Sequence, residues 1–421
     1  MARVKGYPSN FFEANEIIHR ISGLWLFDRE QVPRRWKIAK DMYTFSVYGV
    51  TLCFILTEFI MFKETVKDIA KFITHFEMLL PNLLAFMKMV TLRLQHGRLQ
   101  RIMGILQDKR YYYDTVGDFN PRQIFFQAKR NNQLVSKLLL GLYSFVGISA
   151  YISSKVSISF HMKENHFTPN SSCYDFLVYY FYIPFYCDTK RKCEGVILFM
   201  GLSLIVCSWI VASHDALYCA LVNCLHTHFV ILTGALKTIR KRVLLRLNLS
   251  QDFQIFHDEE FSILENALYK ELRHLTKHLI ILLEAAHDIE AAFNLVLLVQ
   301  VIISLISFAS VLFVAASVPF ASPEFFTQLE YFSSLLVQLG LFCWFGDRIR
   351  TSSQDILYAL YDCDWFSSSK RFKSALIVTM CRMQRPPSLT FGKFGPLTIT
   401  SLVTVCKSSF SYYTVFKTVN E

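Results

Sequence analysis

Long apolar stretches separated by short charged segments make up most of this chain. A helix needs roughly 20 mostly apolar residues to cross the hydrocarbon layer of a bilayer. Seven stretches meet that requirement, so the pattern predicts an all-α polytopic membrane protein with seven transmembrane helices. The predicted spans are residues 40–62, 69–92, 134–157, 195–213, 293–316, 325–345 and 396–419.

An eighth stretch, residues 216–239, is also apolar enough to span. With seven spans and a cytosolic N-terminus, the inner segments 1–37, 93–133, 237–277 and 346–393 carry seven, eight, eight and eight Lys and Arg residues, and the outer segments together carry eight. Basic loops stay preferentially in the cytosol, and an eighth span would export two of them. Residues 216–239 are therefore interpreted as the fourth helix continuing into the cytosol, and the C-terminus is predicted to be extracellular.

Two patterns predict a helical bundle below the membrane. Residues 270–292 are helical in pattern but too charged for lipid, so the fifth helix is expected to begin in the cytosol. Residues 372–383 form an amphipathic helix that is too short to span. The predicted organisation is a cytosolic N-terminal segment (1–37), transmembrane helices one to four with an outer loop at 159–194 (38–236), cytosolic extensions of helices four and five (237–292), transmembrane helices five and six (293–346), a cytosolic anchor segment (347–394), and the seventh helix with the outer C-terminus (395–421).

Composition agrees with a membrane protein. Of the 421 residues, 53% are hydrophobic and 18% are charged, and the mean hydropathy is +0.32. The net charge of +11 is spread over the short loops between spans. This distribution is better explained by the orientation of the spans in the membrane than by nucleic-acid binding. The first 37 residues contain no apolar run long enough for a signal-peptide core, so the N-terminus is expected to be neither cleaved nor exported.

The outer loop carries two candidate covalent modifications. Asn170-Ser171-Ser172 is a glycosylation sequon on the predicted outer side, whereas the sequon at Asn248 lies on the inner side. Three cysteines of the same loop face an oxidising compartment and could form one disulfide, but the sequence leaves the pair open. These cysteines are Cys173, Cys187 and Cys193.

Catalytic and metal-binding motifs are weak in this sequence. His274 and His278 lie one helical turn apart, as in a metal site, but no second box of this kind accompanies them, so packing is the better interpretation. No metalloprotease, phosphate-loop or nucleophile-elbow motif occurs. Pro81 is the one break at mid-span, and it has no counterpart in another half, as a transporter would have. No enzyme activity, metal or cofactor is predicted.

The last predicted helix has a small, hydroxyl-rich face. Its members recur at steps of three and four residues, so they line one side of the helix. Such a face could line a water-filled pore, with valines near the outer end as an apolar constriction. The alternative is that the hydroxyls bond to neighbouring helices. The face comprises Ser401, Thr404, Ser408, Ser411, Val415 and Thr418, followed by Val419, and the opposite face carries Leu402, Cys406, Phe410, Tyr413 and Phe416.

Three segments resemble signatures of the insect odorant receptors. They are residues 360–366 (LYDCDWF), residues 383–392 (MQRPPSLTFG) and residues 407–416 (KSSFSYYTVF). Together they are specific, and the resemblance extends over nearly the whole chain. The shared co-receptor of that family has a longer inner loop between the fourth and fifth helices and lacks the Ser-Tyr-Tyr stretch, so this chain resembles a tuning subunit.

The resemblance implies a ligand-gated, non-selective cation channel, formed as a heterotetramer with the co-receptor subunit in the plasma membrane of an olfactory neuron's dendrite. By similarity, Val415 and Val419 occupy the gate positions and Thr418 the neighbouring polar position, whereas Lys417 stands where an apolar residue is more common. The alternatives are a gustatory-type homomeric channel and a membrane transporter.

The resemblance also implies a pocket for a small volatile organic ligand in the outer half of the helix bundle, among the second, third, fourth and sixth helices. Aromatic and aliphatic walls there would hold the ligand mainly by shape and dispersion. Lipid-facing or packing roles are the alternative for each residue. The candidate residues are Phe72, Ile73, Phe76, Ser144, Gly147, Ile148, Tyr151, Met200, Leu204, Tyr331, Phe332 and Leu335.

Overall fold

The fold is a bundle of long helices in a computed structural model that describes residues 7, 10–25, 34–164, 173–187, 189–251, 253, 255–320 and 323–420. Asn170 lies outside the described residues. The helices are α1 (Glu13–Ile21), α2 (Arg34–Thr65), α3 (Ile69–Leu94), α4 (His96–Leu106), α5 (Pro121–Glu164), α6 (Lys190–Lys237), α7 (Ile239–Arg246), α8 (Ser262–Ser317), α9 (Pro323–Asp362), α10 (Lys370–Met383) and α11 (Ile399–Asn420). Strands β1 (Thr390–Phe391) and β2 (Gly395–Pro396) pair antiparallel before α11.

The seven predicted spans fall in α2, α3, α5, α6, α8, α9 and α11. The seventh span was predicted to begin at residue 396, but α11 begins at Ile399, because Pro396 lies in β2. By length and apolar composition alone, five helices in the described residues could cross a membrane. The other two, α3 and α11, are long enough but carry several polar residues.

Helix α6 runs through the centre of the bundle as one continuous helix, including residues 216–237. Every residue from Ala212 to Leu225 is buried. A helix that is apolar all round is one surrounded by protein, which explains why residues 216–239 look like a span in the sequence. The interpretation of this stretch as a continuation of the fourth helix agrees with the structure.

The part of the bundle beyond the predicted membrane boundary is held by ion pairs to two buried carboxylates. Arg242 Nη1 lies 2.5 Å from Glu271 Oε1, and Arg246 Nη1 lies 2.5 Å from Glu271 Oε2. Arg240 Nη2 lies 3.0 Å from Asp258 Oδ1 in the same region. These pairs join α7 to α8 and to the turn before it, so the cytosolic half of α8 is packed from its first residues.

One disulfide closes the outer side. Cys173 bonds to Cys193 in the first turn of α6, and Cys187 stays outside that bond. The bond ties the segment after α5 to the outer end of α6, and Phe181 of this segment packs against Phe54 of α2 and Phe199 of α6. The sequence had left the pair open among three cysteines.

We expect Glu271→Ala to destabilise the protein. Arg242 is buried, with 1% of its side chain exposed, and the substitution would leave its charge without this carboxylate. Breaking a buried pair from one side costs about 3–5 kcal/mol. Thermal unfolding of the purified protein in detergent measures the effect as a lower midpoint.

The matched control is Lys67→Ala, which breaks the exposed pair between Lys67 and Glu64 and should cost about 0–1 kcal/mol. Burial opposes the charge of Glu271, but Arg242 and Arg246 outweigh it and hold the Glu271 pKa below its ordinary value. The stabilisation is therefore complete above the ordinary Glu pKa and is lost as pH falls through the lowered pKa. Equal melting midpoints for Glu271→Ala and Lys67→Ala would contradict the role assigned to this pair.

Candidate functional site

A cavity of about 120 Å³ lies between α3, α5, α6, α8 and α9. Its walls are mainly apolar, and a few amide and hydroxyl groups interrupt them. An engineered apolar cavity of ~150 Å³ takes up benzene, so the space suits a molecule of that size before any wall moves. The apolar wall includes Met78, Leu84, Val146, Ala150, Val211 and Ile303.

Four of the twelve residues predicted to form a ligand pocket line this cavity. They are Gly147, Leu204, Tyr331 and Leu335. Gly147 lets α5 approach α6 closely, since a Cβ there would lie 3.3 Å from the Ser208 hydroxyl. The absence of a side chain at Gly147 therefore sets the width of the cavity on this side.

The other eight predicted residues lie elsewhere. Phe72 stacks on Phe76 near the outer end of α3, with ring centroids 5.4 Å apart, and Ile73 lies between them in sequence. Tyr151 covers Gly201, where a Cβ would lie 2.6 Å from the Tyr151 ring. The last four are Ser144, which accepts a hydrogen bond from Trp209; Ile148, which is exposed; Met200, which is buried in a separate outer cluster; and Phe332, which packs on Phe308.

The cavity also contains residues that the sequence did not identify. Gln300 and Ile303 come from α8, the fifth span, and Tyr179 comes from the outer segment. Pro81 had been noted only as a break in a span. Gln300 and Gln338 could have been identified from the sequence, because amide side chains inside apolar spans usually form hydrogen bonds to neighbouring helices. Tyr179 belongs to a tyrosine-rich loop without regular secondary structure, so its position at the cavity could not be predicted from the sequence.

A buried carboxylate lies behind the cavity wall, bonded to two of the residues that line the cavity. Asp215 of α6 lies 2.7 Å from Lys88 Nζ of α3 and accepts hydrogen bonds from the Tyr143 hydroxyl at 3.1 Å and from Gln338 Nε2 at 2.7 Å. His214 Nδ1 lies 3.0 Å from the same carboxylate. The side chains of Lys88 and Asp215 are fully buried. The network thus joins α3, α5, α6 and α9 through one side chain.

Two more residues extend this network along the cavity wall. Gln338 Oε1 accepts a hydrogen bond from Gln300 Nε2 at 2.9 Å, and Gln300 Nε2 also donates to Ser304 at 3.2 Å. At the opposite end of the cavity, the Tyr331 hydroxyl donates to the Glu77 carbonyl at 3.2 Å. These bonds fix the orientation of the polar groups that face the apolar space.

The histidines considered for a metal site form a packing cluster instead. The His278 Nδ1 and the Tyr113 hydroxyl lie 2.8 Å apart, and His228 Nε2 donates to the Leu106 carbonyl at 2.7 Å. His274 stacks on Tyr111. Burial lowers the pKa of His228 to about 4. Within the described residues, no three His, Cys, Asp or Glu side chains are grouped as a metal site would require.

Helix α11 packs with one face on α8 and α9 and leaves the other face free. The Ser409 hydroxyl donates to the Leu305 carbonyl of α8 at 3.1 Å. Of the predicted pore residues, Thr404 and Ser411 are exposed, and Ser401 and Ser408 are half-buried. The side chains of Val415, Thr418 and Val419 lie outside the described residues. Phe410, predicted to pack, is 57% exposed.

The free face of α11 also carries a charge. Lys407 is exposed on the same side as Thr404, Ser411 and Thr414, at steps of three and four residues. It is the ninth residue of the helix, about 12 Å from its start. A charged side chain at this depth is costly in lipid and normally faces water or protein. In the single chain, the free face of α11 thus combines hydroxyl groups with one exposed positive charge.

Comparison with known proteins gives one family. A family model described as 7tm Odorant receptor matches residues 68–410. In Drosophila melanogaster, Odorant receptor 2a is 32% identical over 88 residues, 21% of this chain and 22% of that protein. Odorant receptor 67a is 31% identical over 99 residues, 23% of this chain and 24% of that protein. The match to the Odorant receptor coreceptor is 24% identical over 139 residues, 33% of this chain and 28% of that protein.

These alignments span about a quarter of the length of each curated relative. Among solved structures, the fold is similar to the insect olfactory receptor OR5 from Machilis hrabei in complex with eugenol. The TM-score is 0.75 at 14% sequence identity, and the match covers 97% of each chain. The same receptor without eugenol gives a TM-score of 0.73 at 13% identity, covering 96% of this chain and 97% of that one.

We expect Leu204→Trp to prevent binding of a benzene-sized molecule, because the indole ring would occupy much of the cavity that Leu204 lines. A ligand that binds only the folded protein raises its unfolding temperature. The measurement is therefore the thermal shift that benzene causes in the purified protein in detergent. Ile148→Trp is the control, since Ile148 lies on the outside of α5. An undiminished benzene shift in Leu204→Trp would contradict the assignment of the cavity.

Proposed function

Since the chain belongs to the insect odorant receptor family, we propose that it is a tuning subunit of a ligand-gated, non-selective cation channel. In this proposal, a small volatile molecule binds in the cavity between α3, α5, α6, α8 and α9, and the channel opens a pore lined by α11. Membership of this family assigns the chain to the receptors and not to the enzymes. The observation that carries the proposal is that the helices walling the cavity also hold α11.

The cavity fits the proposed ligand class. Its apolar wall offers many weak dispersion contacts, which favour a compact hydrophobic molecule over a charged one. The 120 Å³ space is small, so a ligand larger than benzene must move the walls apart. That expansion provides a physical link between binding and a change of helix packing.

Helices α8 and α9 would transmit this change. On α8, Gln300 and Ile303 line the cavity, and Leu305 accepts the hydrogen bond from Ser409 of α11. On α9, Gly346 lies against the segment that leads into α11, where a Cβ would be 2.5 Å from the Leu397 carbonyl oxygen. A shift of either helix at the cavity therefore moves the surface on which α11 rests.

Channel opening by this route is a population shift. The ligand opens the pore only to the extent that it binds the open arrangement more tightly than the closed one. A ligand that fits both arrangements equally would bind without activating. The proposal thus separates affinity, set by the cavity, from efficacy, set by how binding moves α8 and α9.

The proposed partner is the co-receptor subunit in a heterotetramer. Support comes from large apolar side chains that the single chain leaves exposed on the cytosolic side, since such patches mark protein contacts. We assign this surface to subunit association and the protein to the plasma membrane of an olfactory neuron's dendrite. The exposed residues are Tyr358, Tyr361, Phe366, Ile377 and Val378.

Heterologous expression with and without a co-receptor tests the proposal. We expect odorant-evoked cation currents only when both subunits are present at the cell surface. Currents from this chain alone would favour a gustatory-type homomeric channel. Sustained uptake without conductance would favour a transporter, and neither result is compatible with a tuning subunit.

Lys407→Glu should alter ion permeation while leaving the ranking of odorants intact. A positive charge facing the pore repels cations, divalent ions more than monovalent ones, so the reversed charge should raise the permeability to Ca²⁺ relative to Na⁺. Reversal potentials in bi-ionic solutions measure this ratio. Lys393→Glu is the matched control, because Lys393 is exposed in the turn between β1 and β2, outside α11. An unchanged permeability ratio would mean that Lys407 faces another subunit.

A further inference from the structure

The carboxamide of Gln300 has an unused hydrogen-bond acceptor. Gln300 lines the cavity and is 1% exposed. Its Nε2 donates to Gln338 Oε1 at 2.9 Å and to Ser304 Oγ at 3.2 Å, so both amide hydrogens are engaged. Its Oε1 is buried and has no hydrogen-bond partner.

The buried carboxylate of Asp215 determines which end of this amide is left unpaired. Gln338 must direct its Nε2 toward Asp215, 2.7 Å away, because a carboxylate only accepts hydrogen bonds. Its Oε1 then faces Gln300, which must present its own Nε2 in return. Rotating the Gln300 amide by half a turn would place its Oε1 against Gln338 Oε1, and two acceptors would then face each other. The unpaired group of Gln300 is therefore an acceptor and not a donor.

Three hydroxyl groups of the wall are already committed. The hydroxyl hydrogens of Tyr143, Tyr331 and Ser334 go to Asp215, to the Glu77 carbonyl and to the Glu330 carbonyl, respectively. In each of these three lining residues, the hydroxyl hydrogen is therefore already bonded within the protein. None of these three hydroxyl groups donates to Gln300 Oε1, which stays an unpaired acceptor.

We propose that the cavity selects ligands that carry a hydrogen-bond donor, such as aliphatic alcohols and phenols, with Gln300 Oε1 as the acceptor. A buried unpaired acceptor is unfavourable, and a ligand hydroxyl that reaches it removes that penalty. Neighbouring side chains cover the oxygen in this structure, so the ligand displaces them as it enters. The inference rests on the proposed function, because it names the ligand class of the same cavity.

Matched pairs of odorants test the inference on the unmodified receptor with its co-receptor. The probes are straight-chain alcohols from butanol to octanol and substituted phenols, each compared with its methyl ether, which has similar shape but no donor. The cost of an unpaired buried group corresponds to about 5- to 150-fold in binding. We expect the alcohol or phenol to activate at concentrations lower than its ether by a factor in that range.

Gln300→Met combined with Gln338→Met then identifies the acceptor, because methionine is similar in length but cannot accept this hydrogen bond. The second substitution is needed because Gln300→Met alone would leave Gln338 Oε1 unpaired in the same wall. We expect the variant to lose the preference for the hydroxyl compound and to retain its response to the ethers. Ser334→Ala is the matched control, since the Ser334 hydroxyl donates to its own helix, and it should keep the preference. Surface labelling of each variant verifies that it reaches the membrane.

The outcomes separate the two proposals. Currents evoked by ethers, ketones or esters as readily as by alcohols in the unmodified receptor would overturn the inference and leave the channel function intact. A preference that persists in the surface-expressed double variant Gln300→Met with Gln338→Met would assign the acceptor to another group and would also overturn it. No current with any member of a broad volatile panel would count against the proposed function itself.

Discussion

The packing of the membrane bundle depends on one desolvated carboxylate. Asp215 lies in the fully buried part of α6, where its charge is tolerable only because Lys88 pairs with it and three other groups bond to it. Removing one member of a buried ion pair destabilises the fold far more than replacing both members by apolar residues. The requirement to satisfy Asp215 fixes how α3, α5 and α9 pack around α6, and with it the inner wall of the cavity.

The same requirement extends into the chemistry of the site. Because a carboxylate can only accept hydrogen bonds, Asp215 orients the amide of Gln338, which in turn orients the amide of Gln300. The oxygen of Gln300, a residue that lines the cavity, is left without a hydrogen-bond partner. The helices that carry these amides also support α11. Recognition and gating are thus proposed to share α8 and α9, so that no separate transmission element is needed.

The number and sequence positions of the spans could be predicted, because apolar length and charge asymmetry are properties of the linear chain. The continuous α6 and the early start of α8 followed from the same reasoning. The residues of the ligand site were harder to predict from the sequence. Gly147, Leu204, Tyr331 and Leu335 meet at one cavity, whereas Tyr151 and Met200 pack elsewhere, although both kinds of residue lie in the outer halves of apolar helices.

The difference has a physical reason. Inside a membrane, core-facing and lipid-facing side chains are both apolar, so composition gives the existence of a helix but not its rotation about its axis. The sequence by itself determined the helical class, the family signatures and the hydroxyl-rich face of α11. Only the tertiary structure decided which residues meet at the cavity, which cysteines join, and that Gln300 is left with an unpaired oxygen, because these outcomes depend on distances between helices far apart in sequence.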